Sequence, residues 1–195
     1  MARLSITGEI HHFLSSRIGE GDNVVDATLG NGHDALFLSK AIGDSGHLFG
    51  FDIQILAIDN STKLLTDQGI EERATLIKES HARMAEFIPM QFHGHIRCIM
   101  FNLGYLPGTD KSITTAIEST ISALDQGCRL LDKHGLISLL AYTGHSGGMD
   151  EYIAVKTWAE SLNMMEFRVS IQNLLPDHKH PPRWILIERL SDTPL

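Results

Sequence analysis

Asp26-Ala27-Thr28-Leu29-Gly30-Asn31-Gly32-His33-Asp34 joins an apolar run at 24–28 to a helix-like run at 33–42. Gly30 and Gly32 let the chain turn sharply between strand and helix, and let a ligand come close to the backbone. The next apolar run, 47–51, leads into Phe49-Gly50-Phe51-Asp52-Ile53-Gln54. An acidic side chain at that second strand end, Asp52, can accept both ribose hydroxyls of an adenosine. Gln54 lies one side-chain period further and could hold the same sugar or its base. A strand, a glycine turn, a helix and a second strand ending in an acid make an α/β nucleotide-type unit. An ordinary strand-to-helix turn is the plainer alternative for the glycines.

Outward from this unit the pattern repeats. Strand-like runs fall at 24–28, 47–51, 75–78, 96–102, 135–142, 166–174 and 183–188, with helical candidates at 6–18, 33–42, 55–68, 83–88, 112–131 and 148–161. In the first helix Ile10, Phe13, Leu14 and Ile18 recur at helical spacing. Alternation of this kind implies right-handed crossovers and a mostly parallel sheet covered on both faces. Leu136-Ile137-Ser138-Leu139-Leu140-Ala141 is nearly continuous in apolar character, as a strand buried on both faces must be. The last two runs are separated only by residues 175–182, so they should form an antiparallel pair. Seven strands ending in such a hairpin, with helices on both faces, is the Rossmann-like class I methyltransferase layout. The chain, 1–195, reads as a single domain, with neither repeats nor a linker.

The literal string Gly30-Asn31-Gly32-His33-Asp34-Ala35 also fits the dinucleotide fingerprint, so an NAD-dependent oxidoreductase is the competing reading from another class. Charge separates the two. A pyrophosphate wants helix N–H groups and no anion nearby. Asp26 and Asp34 bracket the turn instead, which suits a ligand bearing an ammonium and a sulfonium. S-adenosylmethionine (SAM) is such a ligand, and S-adenosylhomocysteine (SAH) is its product. Asp34 also reads simply as a first-turn carboxylate favoured by the helix dipole by ~0.3–1 kcal/mol. After the third strand, Lys78-Glu79-Ser80-His81 lies where the adenine would sit, and Ser80 and His81 can exchange hydrogen bonds with its edge.

Beyond the fourth strand comes Asn102-Leu103-Gly104-Tyr105-Leu106-Pro107. The Asn102 carbonyl oxygen can accept an N–H from a substrate amine, aiming the nitrogen lone pair away from the protein, while the Tyr105 ring can stack on a flat base. Asn102 and Tyr105 occupy the outer positions of an Asn-Pro-Pro-Tyr-like tetrapeptide found in amino-directed nucleic-acid methyltransferases. A turn residue and a packing ring are the structural alternatives.

Whole-chain properties narrow the class. The formal charge of −8 argues against a protein that coats nucleic acid through a general positive field. A local cationic face is offered by Arg168, Lys179, Arg183 and Arg189 with His178 and His180. Cys98 and Cys128 provide neither a disulfide framework nor zinc spacing, so a reduced cytoplasm is expected. No apolar run approaches the ~20 residues of a membrane helix, and no signal-peptide core is evident. His93-Gly94-His95 and His178-Lys179-His180 read as solvated loops rather than metal ligands, His11 and His12 as surface or interface, and Trp184, at the start of the last strand, as a candidate lining of the substrate mouth.

Taken together, residues 26–34, 51–54, 79–81, 101–108 and Gly144-His145-Ser146-Gly147-Gly148 resemble one family over nearly the whole chain. It is that of small class I methyltransferases known as rRNA methylases, which includes the tRNA 5-aminomethyl-2-thiouridine methyltransferases. The resemblance implies methyl transfer from SAM, without a metal, to the aminomethyl nitrogen of a modified wobble uridine. It implies an RNA partner at the tRNA anticodon region and a homodimer. Asn31, Asp34, Asp52, Gln54, Ser80 and His81 match the family's cofactor positions, joined from the turn and strand ends by Asp26, Thr28, Gly30, Gly32 and Asn102. Thr109 and Thr143 depart from the family pattern, as does the loop 175–184, which retains Pro181-Pro182. Ribosomal RNA or another amine is the alternative substrate, and a non-enzymatic adenosine sensor the alternative role. An alkyl amine near pKa ~10.4 must lose a proton before it can attack. Desolvation would assist, and Asp110, His145 and Tyr142, in that order, are the candidate bases.

Overall fold

The computed structural model describes residues 5–104, 114–174 and 179–190. Among these residues seven strands form one sheet: β1 (Asn23–Asp26), β2 (His47–Asp52), β3 (Ala74–Lys78), β4 (Ile96–Leu103), β5 (Leu131–Ala141), β6 (Phe167–Asn173) and β7 (Arg183–Arg189). Their order is β3-β2-β1-β4-β5-β7-β6. Strands β1 to β5 pair in parallel, whereas β7 runs antiparallel to both β5 and β6, as the short 175–182 connection requires. Among the described residues six α-helices cover the sheet: α1 (Ile6–Leu14), α2 (His33–Ala41), α3 (Ile55–Asp67), α4 (Met84–Phe87), α5 (Ile117–Leu130) and α6 (Gly148–Glu160).

Alternating strand side chains feed two cores. Val25, Phe49, Ile99 and Ile137 pack with Met84 of α4, Leu124 of α5 and Val155 of α6. Their neighbours Val24, Leu48, Cys98 and Leu136 pack with Leu14 of α1, Leu38 of α2 and Leu65 of α3. The helices therefore lie on both faces, and both cysteines are buried thiols. No helix among the described residues is long and apolar enough to cross a membrane.

Three boundaries differ from expectation for identifiable reasons. Helix α1 ends at Leu14 rather than 18, because the Ser15 and Ser16 hydroxyls donate back to the carbonyls of His12 and Phe13 at 2.8 Å each; such bonds compete with the helical ladder. Helix α5 begins at Ile117 rather than 112, since the Thr115 N–H is drawn 3.0 Å from the Gly104 carbonyl. Strand β5 begins at Leu131 rather than 135. Its register slips between Leu131 and Leu136, with His134 at φ 63° absorbing the extra residues.

Candidate functional site

The parallel strands end side by side at one edge of the sheet, and the order reverses between β1 and β4. Ligands in open α/β sheets lodge at such a reversal, beyond the strand tips. A cavity of about 970 Å³ opens there, bordered by residues after β1, β2, β3, β4 and β5. Its described walls carry Asp34, Asp52 and Glu79 but neither Lys nor Arg. That charge pattern suits a cationic ligand and offers nothing to a pyrophosphate.

The first wall is the glycine turn. Gly30 and Gly32 take φ of 52° and 80°, a region unfavourable to other residues. A Cβ on Gly32 would stand 2.8 Å from Ser61 Oγ and 2.9 Å from Ser61 Cα, so α3 closes down on the turn only because the side chain is absent. Asn31 is held by Asn60 Nδ2, which donates 3.1 Å to its Oδ1. Asp52 accepts from the Gly30 N–H at 3.1 Å and the Gln54 N–H at 2.9 Å. Each carboxylate oxygen has a further lone pair, so Asp52 stays a pre-aimed acceptor for a diol. Ile53, 55% exposed, extends a flat apolar surface beside it.

Asp26 lies behind this turn, fully buried, with Oδ1 on the Thr28 N–H at 3.1 Å and Oδ2 without a partner. Burial pushes its carboxyl well above the usual range, and the charges of Asp34 and Asp52 push it further. An orphaned buried acceptor beside two more carboxylates is costly to fold. It is the arrangement expected where a cation completes the site. On the other side, burial lowers the basicity of His81, so its ring is neutral. Its Nδ1 meets the Ala27 carbonyl at 3.1 Å, and donating there leaves Nε2, buried and unpartnered, as an acceptor for a ligand N–H. Ser80 instead caps the following turn by accepting from the Ala82 N–H at 3.2 Å. Adenosine, ammonium and sulfonium thus all find fitting residues.

The fourth strand contributes Asn102. Its N–H lies beyond the end of β1, and the Thr28 hydroxyl oxygen replaces the missing ladder partner at 2.8 Å. Its Nδ2 donates to Asp34 Oδ2, so the amide's carbonyl branch is the one not committed to Asp34. Asp34 Oδ1 meets His11 Nε2 at 2.5 Å. Leu103 and Gly104 are tied down next: the Gly104 N–H donates 3.2 Å to Thr115 Oγ1, which donates 2.7 Å to the buried Glu151. Across from them lies His145, whose Nε2 would be 3.7 Å from a Cβ on Gly104 and whose Nδ1 is 3.0 Å from the Ser146 carbonyl. The Tyr142 hydroxyl is pushed above its ordinary value by burial and then by Asp34, so it holds its proton and makes a poor base. Tyr105 and Asp110 lie outside the described residues.

Most residues expected from sequence therefore meet in one cavity: Thr28, Gly30, Asn31, Asp34, Asp52, Gln54, Ser80, His81, Asn102 and His145. Gly32 shapes it from beneath, against Ser61, and Asp26 supports it from behind. Two expectations are corrected. His11, read as surface or interface, is half-buried instead of on the open surface: it borders the cavity and touches Asp34. Trp184 does not line a mouth; it is buried, T-stacked on Phe13, with Nε1 donating 3.0 Å to Ser138 Oγ. No local spacing links Thr115 to Glu151, because α5 and β5 both lie between them in sequence.

Comparison with known proteins agrees with this fold. The family model described as "Putative rRNA methylase" matches residues 48–188. The Arabidopsis thaliana chloroplastic tRNA (mnm(5)s(2)U34)-methyltransferase is 37% identical over 174 residues, a match spanning 85% of this chain and 62% of that protein. Among solved structures, one from Clostridium thermocellum described as a "putative rRNA-methylase" superposes with a TM-score of 0.91 at 38% identity, covering 97% of this chain and all (100%) of that one. A Streptococcus mutans protein solved in complex with SAH gives 0.84 at 29% identity, with 97% and 100% covered.

Proposed function

The chain belongs to the rRNA methylase family, and on that footing we propose that it is a SAM-dependent RNA methyltransferase. The acceptor we assign is an amine, the aminomethyl nitrogen of a modified wobble uridine in tRNA. The observation that carries this reading is the Asn102 amide, held by Asp34 through Nδ2 at the rim of an acidic cavity. SAM, when bound, supplies an electrophilic methyl group on a sulfonium. Asp52 and Gln54 would hold its ribose, His81 and the Ile53 surface its adenine, and the Asp34 carboxylate its cationic end, with the buried Asp26 carboxyl behind the turn.

Asn102 does the orienting. Its carbonyl oxygen accepts an N–H from the incoming amine, which turns the nitrogen lone pair toward the reacting methyl. Fixing both partners in one geometry converts a bimolecular encounter into an effectively unimolecular one, an effect worth up to ~7–11 kcal/mol where alignment is good. The amine must shed a proton first, and desolvation in the cavity favours its neutral form. His145 stands nearby as a proton acceptor.

Nucleoside mass spectrometry of bulk tRNA from cells lacking this protein tests the proposal. Accumulation of an unmethylated 5-aminomethyl-2-thiouridine is expected. An unchanged tRNA profile with altered ribosomal RNA would move the substrate to rRNA, and no change in either would remove the RNA reading.

A further inference from the structure

We propose that His11 is a positioning residue for Asn102, acting through Asp34 from the N-terminal helix. The inference rests on the reading of Asn102 given above. An amide's oxygen and nitrogen branches have the same shape, so its hydrogen-bond partners decide which way it faces. Asp34 decides it here. It is only 9% exposed, accepts from Asn102 Nδ2 on Oδ2, and meets His11 Nε2 on Oδ1 at 2.5 Å. With both oxygens accepting, Asp34 can face only the NH2 branch of Asn102, and the carbonyl branch is left for the substrate.

His11 is itself aimed. Its ring stacks on Phe37 with centroids 3.9 Å apart and planes 5° from parallel, which directs Nε2 at Asp34. Helix α1 is anchored by buried Ile10 and Leu14 on the adjoining core, so this geometry is carried by packing. Without His11, the Asp34 carboxylate loses the donor that fixes its orientation and can swing away from Asn102, leaving the amide unheld. The Asn102 amide could then rotate by half a turn. A rotated amide would donate to the amine's lone pair, the very electrons needed for attack.

Two substitutions separate stacking from hydrogen bonding. His11→Phe preserves the stack and removes the donor, whereas His11→Gln restores an N–H near the same point. Wild type and variants would be compared with SAM and bulk tRNA from cells lacking the protein, with SAH affinity by calorimetry and with the Asn102 side-chain amide resonances by NMR. In His11→Phe, kcat should fall about ten- to hundredfold, the rate equivalent of one hydrogen bond to a charged group. SAH affinity should hold, and the Asn102 amide signals should move toward solvent-exposed values. His11→Gln should recover most of the rate. Wild-type kcat in His11→Phe, unmoved amide signals, or equal damage in both variants would overturn the proposal. So would a parallel loss of SAH affinity, which would make His11 a cofactor-binding group. If the wild type methylates no tRNA, the reading of Asn102 fails, and the amide resonances alone decide whether His11 sets its orientation.

Discussion

Gly32 and Gly147 form a matched pair from which the tightness of the cofactor turn can be measured. Both stand at φ 80°, and both are the residue before a helix, α2 and α6 respectively. Alanine at either must adopt a left-handed backbone, at ~1–2 kcal/mol. The surroundings differ. A Cβ on Gly147 meets nothing within 4 Å, whereas one on Gly32 meets Ser61 Oγ at 2.8 Å and Ser61 Cα at 2.9 Å. The second contact is backbone, so no rotamer of Ser61 relieves it, and α3 must shift. Overpacking of this kind costs ~1–3 kcal/mol. Gly147→Ala should therefore cost ~1–2 kcal/mol and Gly32→Ala ~2–5 kcal/mol. At ~2–4 °C per kcal/mol for a domain this size, melting curves should separate the two variants clearly. SAH affinity should drop only in Gly32→Ala. Equal shifts in melting temperature would refute the idea that α3 is closed on this turn by the absence of a side chain.

Thr28→Val, nearly isosteric, removes the oxygen that accepts the Asn102 N–H; leaving that donor unpaired should cost ~1–3 kcal/mol, with turnover falling more than SAH affinity. Asp26→Asn should raise the melting temperature at neutral pH while weakening cofactor binding. Burial and the Asp34 charge hold this carboxyl above its ordinary 3.8, so the wild-type penalty appears as pH rises through that value and the gain should vanish below it. For His81, burial lowers the pKa below its ordinary 6.5; stability is full above that pH and lost as pH falls beneath it, and His81→Asn should flatten this acid slope in urea titrations.

The glycine turn, the acid ending β2 and the amide ending β4 were legible because each is a strand terminus, and a parallel sheet brings successive termini to one edge. The two-faced core was legible for the same reason: residues such as Leu136 to Ala141 leave no polar side. The role of His11 was not. A histidine beside Ile10 on an amphipathic helix says nothing about where that helix docks, and α1 crosses the cavity through packing on β-strands far away in sequence. Trp184 misled through its position at a strand start, since the antiparallel register that buries it against Ser138 depends on the hairpin closing. Glu151 reads as a helix first-turn acid, yet two threonine hydroxyls from residues 115 and 120 make it a buried anchor.

Transfer of a labelled methyl from SAM to bulk tRNA drawn from cells lacking the protein, followed by digestion and nucleoside mass spectrometry, tests the amine-directed chemistry most directly. Label on the aminomethyl nitrogen of a 2-thiouridine nucleoside is the predicted result, lost in Asn102→Ala although that variant binds SAH normally. Label on a ring carbon or ribose oxygen, or an Asn102→Ala protein that methylates as the wild type does, would contradict it.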